Sequence, residues 1–249
     1  MKILPTNLLD TATLTAGGTS VNYPLTNLAH PFLKKKFQQT VAISGGAMAD
    51  ADALTLAWTT DQTIDFIAVG YTNATTLTLK LYDSADALLD TQVFTAPALG
   101  KSFTAVSGVR KAKLLMHDGS TDNPMTLYLG GLGIGQGYTM PDPVFDWGND
   151  LTDSSFGEIT VDGQVSGQYV EPLRTLRFSF VTNDRTVFLY ILSLVKSFGK
   201  YVPLWLLPFT GTALATVPAL YATIPNGIEN QGRDAQYRYT FTLTFQEAR

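Results

Sequence analysis

Glutamate is absent from the first half of the chain, while threonine is abundant throughout it. The first glutamate is Glu158, and threonine occupies 33 of the 249 positions. Glutamate is a good helix former, whereas the β-branched threonine side chain fits a pleated strand better than a helix. The first half of the chain is therefore predicted to consist of β-strands.

Short apolar runs recur in this half between clusters of Gly, Asn and Asp. In residues 77–82, leucine alternates with Thr78, Lys80 and Tyr82, which places the leucines on one face of a strand. Similar runs cover residues 63–69, 87–94, 112–116 and 125–129. Repeated short strands separated by turn residues predict a β-sandwich.

A glycine-rich run and two prolines mark a boundary near the middle of the chain. Residues 130–137 contain five glycines, and Pro141 and Pro143 follow. Such a run is either a flexible linker or a strand whose bare backbone lets another segment approach closely. We predict a first domain over residues 1–140, which is a β-sandwich, and a second domain over residues 141–249.

The second domain is predicted to be a β domain with one helix, at about residues 184–198. Apolar side chains recur there at three- and four-residue spacing, Asn183 or Asp184 can cap the start, and Gly199 can end it. Strands are predicted on both sides of the helix, at residues 175–180 and in the strictly alternating stretch 237–245. A hairpin is predicted around Asp162 and Gly163.

Composition excludes several kinds of chemistry. The chain has no cysteine and two histidines, so disulfides, thiolate metal sites and cysteine nucleophiles are excluded and general bases are few. A net charge of −4 and a pI near 5.1 do not favour nucleic acid as a partner. We predict no enzyme, no cofactor and no nucleic-acid binding.

The sequence also lacks the patterns of a signal peptide and a membrane helix. The first residues contain no long apolar run, and the apolar stretch at 187–209 is interrupted by Lys196, Lys200 and Pro203. We therefore expect neither secretion nor membrane insertion.

Motifs with catalytic or metal-binding potential are weak. The glycine spacing is not that of a nucleotide-binding loop, and His117 next to Asp118 is typical of a turn. Acidic residues in 50–52 and 118–123 could bind calcium, but turn chemistry explains them equally well, and we predict no metal site. A glycosidase with carboxylates on distant loops stays open as an alternative.

Six side chains are candidates for assembly or glycan contacts. The aromatic ones could stack on sugar rings or belong to the core, and the only basic run, residues 34–36, is predicted to be a solvated edge or a salt-sensitive subunit contact. The six candidates are Trp58, Tyr71, Trp147, Arg174, Arg177 and Trp205.

Two stretches of sequence resemble parts of tailed-bacteriophage virion proteins. Residues 4–10 and 23–28, with the strand-rich region after them, resemble an N-terminal sandwich of the discoidin or carbohydrate-binding-module type. This resemblance implies that the domain at residues 1–140 is a sandwich of the jelly-roll or carbohydrate-binding-module type. Residues 174–180, 203–208 and 239–247 resemble distal tail and tail-tube proteins, in which a β-sandwich with one helix forms a ring, commonly six-fold.

This resemblance implies a structural component of a phage tail tip or baseplate. The chain would assemble as a homo-oligomeric ring with tail-tube, hub and fibre proteins in the bacterial cytoplasm, and would serve in the virion as a platform for fibres or for contact with host glycans. The alternative is a free carbohydrate-binding module or lectin.

Overall fold

The computed structural model describes residues 1–29, 33–44, 47–96, 99–121, 123–152, 156–159, 165–168, 173–208, 219–233 and 238–248. These residues are mainly β-strand with a single α-helix, which confirms the predicted fold class. The chain divides into two compact units. Unit 1 comprises Met1–Met140 with Trp205–Tyr221, and unit 2 comprises Pro141–Leu204 with Ala222–Ala248.

The elements follow one another along the chain, with short 3₁₀ helices at Leu8–Thr11 and Leu25–Ala29. The first eleven strands are β1 (Lys2–Leu4), β2 (Thr13–Thr15), β3 (Phe37–Val41), β4 (Ile43–Ser44), β5 (Ala47–Met48), β6 (Leu54–Thr72), β7 (Thr76–Tyr82), β8 (Leu88–Thr95), β9 (Gly100–His117), β10 (Met125–Gly135) and β11 (Tyr138–Thr139). The remaining elements are β12 (Pro143–Thr152), β13 (Phe156–Ile159), β14 (Val165–Gln168), β15 (Leu173–Thr182), α1 (Arg185–Phe198), β16 (Leu204–Leu207), β17 (Leu220–Thr223), β18 (Ile228–Arg233) and β19 (Tyr239–Glu247).

Unit 1 is a β-sandwich made largely from one bent sheet. The strand order is β3-β10-β6-β9-β7-β8, with β2 beside β6. Strands β6 and β9 are 19 and 18 residues long, and their pairing shifts register three times between Ala57 and Phe66. Such irregularities bend and twist a strand pair, so the two halves of the sheet cover one core. The sequence pattern predicted only part of each long strand, because the bulged middle breaks the alternation.

The predicted alternation in residues 77–82 is confirmed in β7. Leu77, Leu79 and Leu81 have no exposed surface, and the residues between them are half-buried. The three leucines belong to the same apolar core as Phe37 and Leu127.

The glycine-rich run is a strand that lets an indole ring approach the backbone. Gly131 and Gly133 lie in β10 and Gly70 lies in β6, where Gly131 pairs with Gly70. A methyl group added at Gly133 would lie 2.4 Å from Cδ1 of Trp205, and one at Gly70 would lie 2.9 Å from Cη2 of the same ring. Of the two explanations open from sequence, close approach is therefore the observed one.

Trp205 reaches this position because β16 pairs antiparallel with β1. Ile3 is opposite Leu206 and Leu4 is opposite Trp205, and Trp205 and Leu4 share an apolar cluster with Phe66. The described residues 205–208 and 219–221 therefore belong to unit 1, whereas the predicted boundary assigns them to the domain that begins at residue 141. No local pattern reveals this pairing, since β1 ends at Leu4 and β16 begins at Leu204.

A buried ion pair ties β1 to the sandwich. The Lys2 ammonium lies 2.7 Å from Oδ2 of Asp65, and both side chains are about nine-tenths buried. Ser102 Oγ accepts a second hydrogen bond from Lys2 at 3.1 Å, and the Gly137 N–H donates to Oδ1 of Asp65 at 2.7 Å. A buried pair with these extra bonds is costly to break from one side, because the remaining charge would be buried without a partner.

Unit 2 contains a sheet in which β15 pairs with β12 and β19, and β19 also pairs with β18. Phe178 is opposite Leu243 and Phe180 is opposite Phe241, and all four side chains are buried. The predicted alternating strand is thus confirmed from residue 239, while Tyr237 lies outside the described residues. Strands β13 and β14 pair as the hairpin prediction requires, but its turn at Asp162 and Gly163 also lies outside them.

The predicted helix is confirmed as α1, which packs on the sheet of unit 2. The Asp184 carboxylate caps the helix by accepting hydrogen bonds from the Thr186 and Val187 N–H groups at 2.7 and 3.4 Å. Gly199 follows the last helical residue with φ of +59°. The Phe188 ring stacks on Tyr239 with centroids 4.9 Å apart. In the part of the chain that the structure describes, no helix has the length and apolar character needed to cross a membrane.

We expect Gly133→Ala to lower the free energy of unfolding by about 1–3 kcal/mol, because the added methyl group overpacks the contact with Trp205. Gly148→Ala is the matched control, since the nearest atoms to its methyl group would lie 3.8 Å away. Urea unfolding measures both. Equal stability of the two variants would contradict the close contact.

We expect Ile191→Asp to destabilise unit 2 by about 3 kcal/mol or more, because a carboxylate would be buried against the sheet without a partner. Leu189→Asp on the same helix should change stability by less than about 0.5 kcal/mol, since Leu189 is 47% exposed and Ile191 is 1% exposed. Thermal unfolding followed by circular dichroism compares them, and a tolerated Ile191→Asp would refute the packed face of α1.

Candidate functional site

Three tyrosine rings surround the Lys36 ammonium at the surface of unit 1. The Lys36 Nζ atom lies 4.1 Å from the ring centroid of Tyr128 and 6.0 Å from those of Tyr23 and Tyr71. The rings of Tyr71 and Tyr128 are 6.1 Å apart. Tyr23 and Tyr71 are exposed, and Tyr128 and Lys36 are half-buried. We call these four residues the tyrosine–lysine patch.

Side-chain hydrogen bonds hold the Tyr128 backbone beside the end of β6. The Tyr128 N–H donates to Oδ1 of Asn73 at 2.9 Å, and its carbonyl accepts from the Thr72 hydroxyl at 2.6 Å. Thr72 also pairs with Leu129 in the β6–β10 ladder. Tyr71 and Tyr128 are therefore placed by two strands of the sandwich, which position side chains more rigidly than a free loop would.

Lys36 and Tyr23 come from the loop that precedes β3. The Asn27 side-chain amide donates to the Lys36 carbonyl at 2.9 Å, and the Gln38 N–H donates to the Tyr23 carbonyl at 3.1 Å. The loop lies close to β10 at Gly130, where an added methyl group would be 1.9 Å from the Leu33 carbonyl oxygen. Any larger residue at position 130 would displace the loop that carries Lys36.

Tyr71 holds an unusual backbone conformation. Its φ is +50°, in the left-handed region that residues other than glycine rarely adopt. This conformation costs on the order of 1–3 kcal/mol and persists only where the surrounding structure enforces it. The ring is 51% exposed, so burial of this side chain contributes little stabilisation to offset the cost of the backbone conformation. An exposed aromatic ring on a strained backbone is a feature of binding sites.

The charge of Lys36 is not paired with a carboxylate in the described part of the chain. Lys34 and Lys35, both exposed, precede it directly. By contrast, Lys80 pairs with Asp50 at 2.8 Å, and this hydrogen bond lowers the pKa of Asp50 and raises the pKa of Lys80. The patch is thus a positive, aromatic surface.

Two of the six candidates for assembly or glycan contacts, Trp58 and Trp205, are buried within unit 1, so that of the roles left open for these rings the structure shows a place in the core. Trp205 is 4% exposed and lies on the glycines of β6 and β10. Trp58 is 6% exposed, and its indole N–H donates to the Leu8 carbonyl at 2.9 Å. Both rings belong to the apolar packing because neighbouring strands cover them, whereas Tyr71 stays exposed.

The other three candidates lie in unit 2. Arg177 on β15 is exposed and lies 3.4 Å from Glu229. The backbone N–H of Arg174 donates to the Glu247 carboxylate at 3.1 Å. Trp147 lies in β12 opposite Phe178, and its side chain is outside the described set. The structure does not test whether these residues make assembly contacts.

Unit 2 also has an open cleft at the start of α1. Its volume is about 700 Å³, and the Arg233 guanidinium lies 5.5 Å from the ring centroid of Tyr239 at its wall. The lining residues are Asn183, Arg185, Phe188, Leu189, Arg233 and Tyr239.

The loop at residues 117–120 has the geometry of a turn. Asp118 accepts a hydrogen bond from the Ser120 N–H at 2.8 Å, and Gly119 has φ of +85°. Within the described ranges, no three His, Cys, Asp or Glu side chains are grouped so that they could hold a metal ion.

Sequence reasoning missed Tyr23, Tyr128 and the role of Lys36 beside them. The four residues of the patch are separated by up to about a hundred positions in the chain, and only the pairing of β10 with β3 and β6 brings their segments together. The basic run at 34–36 was the one available signal.

No protein-family model matches the chain, and no curated protein does so either. Among solved structures, the chain is similar to a fucose binding module of Streptococcus pneumoniae, with 8% identity and a TM-score of 0.42 over 52% of this chain and 94% of that one. It is similar to the lectin domain of Lectinolysin complexed with Lewis B antigen, with 10% identity and a TM-score of 0.41 over 52% and 95% of the two chains.

A third similar structure is chitosan-binding module 1 from a chitosanase/glucanase of Paenibacillus, with 11% identity and a TM-score of 0.41 over 53% of this chain and 99% of that one. All three are named as lectin or saccharide-binding modules, and none of the three is a phage protein. Similarity at this level carries no argument about function.

Tyr221 provides a pH-dependent test of the packing around Trp205. The two rings lie 4.9 Å apart, and burial, with a smaller contribution from the Asp10 charge, raises the pKa of Tyr221 from 10.0 to about 12. Between these values the unfolded chain loses the phenolic proton and the folded chain keeps it, so deprotonation favours unfolding.

We therefore expect the stabilising contribution of the protonated Tyr221 hydroxyl to be complete below about pH 10 and to be lost as the pH rises through 12. Urea unfolding at pH 9 to 12 should show a steeper fall in stability for the native chain than for Tyr221→Phe, which removes this group and leaves the lysines unchanged. Parallel pH profiles would show that the hydroxyl is not buried against Trp205.

Proposed function

We propose that unit 1 is a carbohydrate-binding module and that the tyrosine–lysine patch is its sugar-binding surface. The observation that carries this proposal is the exposed Tyr71 ring, which is held on a left-handed backbone beside two further tyrosines. A ring that served only folding would be better placed inside the core than on a strained, solvent-facing backbone.

The patch has both kinds of group that saccharide recognition needs. A pyranose ring presents an apolar face of C–H groups, which can stack on an aromatic ring, and hydroxyl groups at its edge, which need hydrogen-bond partners. Tyr23 and Tyr71 supply exposed aromatic surface. The tyrosine hydroxyls and the Lys36 ammonium supply donors around it.

The composition of the patch supports binding rather than hydrolysis. Glycoside hydrolysis uses two carboxyl groups on either side of the scissile bond, and the four residues of the patch include none. We therefore propose that the patch binds saccharides without hydrolysing them.

The phage-tail interpretation stays a prediction from the sequence resemblance, as do its tail-protein partners, the ring and the location in a virion. Glycan binding by unit 1 is compatible with this interpretation and also with the alternative of a free module. Of the two, the patch favours the alternative, because it provides a ligand surface that needs no assembly partner.

We expect Tyr71→Ala to weaken binding to a glycan identified on an array by at least about tenfold, or about 1.4 kcal/mol, through loss of the stacking surface. Tyr82→Ala is the matched control, since Tyr82 also lies near a lysine, with Lys113 Nζ 5.8 Å from its ring centroid, but belongs to β7 and not to the patch. Calorimetric titration of the full chain measures both affinities.

A second variant separates binding from folding. Tyr71→Gly removes the ring and also relieves the left-handed backbone, so it should keep or raise the melting temperature and still lose binding. Absence of binding to any array glycan, or full affinity in both Tyr71 variants, would refute the proposed function.

A further inference from the structure

We propose that the tyrosine–lysine patch selects acidic saccharides, which carry a carboxylate or a sulfate group, through the Lys36 ammonium. This inference rests on the proposed function and adds the chemical class of the ligand. It follows from how Lys36 differs from the other cations of unit 1.

The cationic side chains of unit 1 with a described contact fall into three groups. Four of them pair with a carboxylate of the same unit, and Lys101 and Lys113 donate to the backbone carbonyls of Val93 and Asp50. Lys36 differs, because its contacts in the described residues are three tyrosine rings and no carboxylate. The four pairs are Lys2 with Asp65, Lys80 with Asp50, Arg110 with Asp61, and Lys111 with Asp86.

Contact with aromatic rings orients the Lys36 ammonium and leaves its charge in place. A cation over a tyrosine face is attracted by the ring electrons, yet no opposite charge cancels it. The rings also exclude water from part of its surroundings, which strengthens its attraction to an anion compared with that of a fully hydrated lysine. The ammonium is thus fixed next to the surface on which a sugar would stack.

The exposed Lys35, directly before Lys36 in the chain, enlarges this positive region. The chain as a whole carries a formal net charge of −4, so the positive charge at Lys35 and Lys36 is a local feature. Local positive potential raises the concentration of anionic ligands at a surface and depends on ionic strength. Neutral saccharides gain nothing from it.

The test compares saccharides that differ only in the acidic group. The full chain is titrated with an oligosaccharide of uronic acids and with its carboxyl-reduced counterpart, and with a sulfated oligosaccharide and its desulfated form. We expect at least one acidic member to bind about tenfold more tightly than its neutral partner in low salt, with the preference decreasing as salt is added. The two pairs distinguish a carboxylate from a sulfate.

Variants at Lys36 assign the preference to this side chain. Lys36→Met should lower the affinity for the acidic member more than that for its neutral partner, so that the ratio of the two affinities falls to near one, whereas Lys36→Arg should retain the ratio of the native chain. Lys101→Met is the control for the loss of one positive charge, since Lys101 donates to the Val93 carbonyl and lies outside the patch. It should behave as the native chain does.

The outcomes separate the two proposals. If saccharides bind but acidic and neutral members of both pairs bind equally, the acidic selectivity is refuted and the proposed function stands. An equal loss of both affinities in Lys36→Met also refutes the selectivity, because it shows that Lys36 only supports the rings. If no saccharide binds, the proposed function fails and the selectivity fails with it. The comparison within the native chain holds even if a variant folds poorly.

Discussion

The packing of Trp205 on the glycines of β6 and β10 is the constraint on which the architecture of unit 1 depends. An indole ring can lie this close to two strands only where side chains are absent, as they are at Gly70, Gly131 and Gly133. This contact, with the pairing of β16 on β1, draws a segment from beyond residue 200 into the N-terminal unit.

The same glycines connect the core to the candidate binding surface through Leu33. The Leu33 side chain packs against the cluster that contains Trp205, and its carbonyl lies where only Gly130 leaves room. Three residues further on, Lys36 lies over the ring of Tyr128. The position of the patch is thus set by backbone packing rather than by a free loop, which explains how the strain at Tyr71 can persist.

The site was only partly predictable. Tyr71 was a candidate because aromatic residues in β domains can stack on sugars, and the basic run that contains Lys36 was visible as an isolated charge feature. Trp58 and Trp205 were candidates for the same reason, because they are aromatic, but both are covered by neighbouring strands. Which aromatic side chains reach solvent depends on strand order and register, and a single sequence does not specify them when the pairing strands are far apart.

The sequence alone specifies the mainly β class, the alternation of β7 and β19, and the position of α1, because these follow from side-chain periodicity and capping over a few neighbouring residues. It left open whether the glycine run is a linker or a strand, and it did not reveal that residues 205–208 and 219–221 join unit 1 or that three tyrosines meet at Lys36. These features are visible in the three-dimensional structure alone, because each depends on contacts between segments that are far apart in the sequence. Local periodicity carries no information about such contacts.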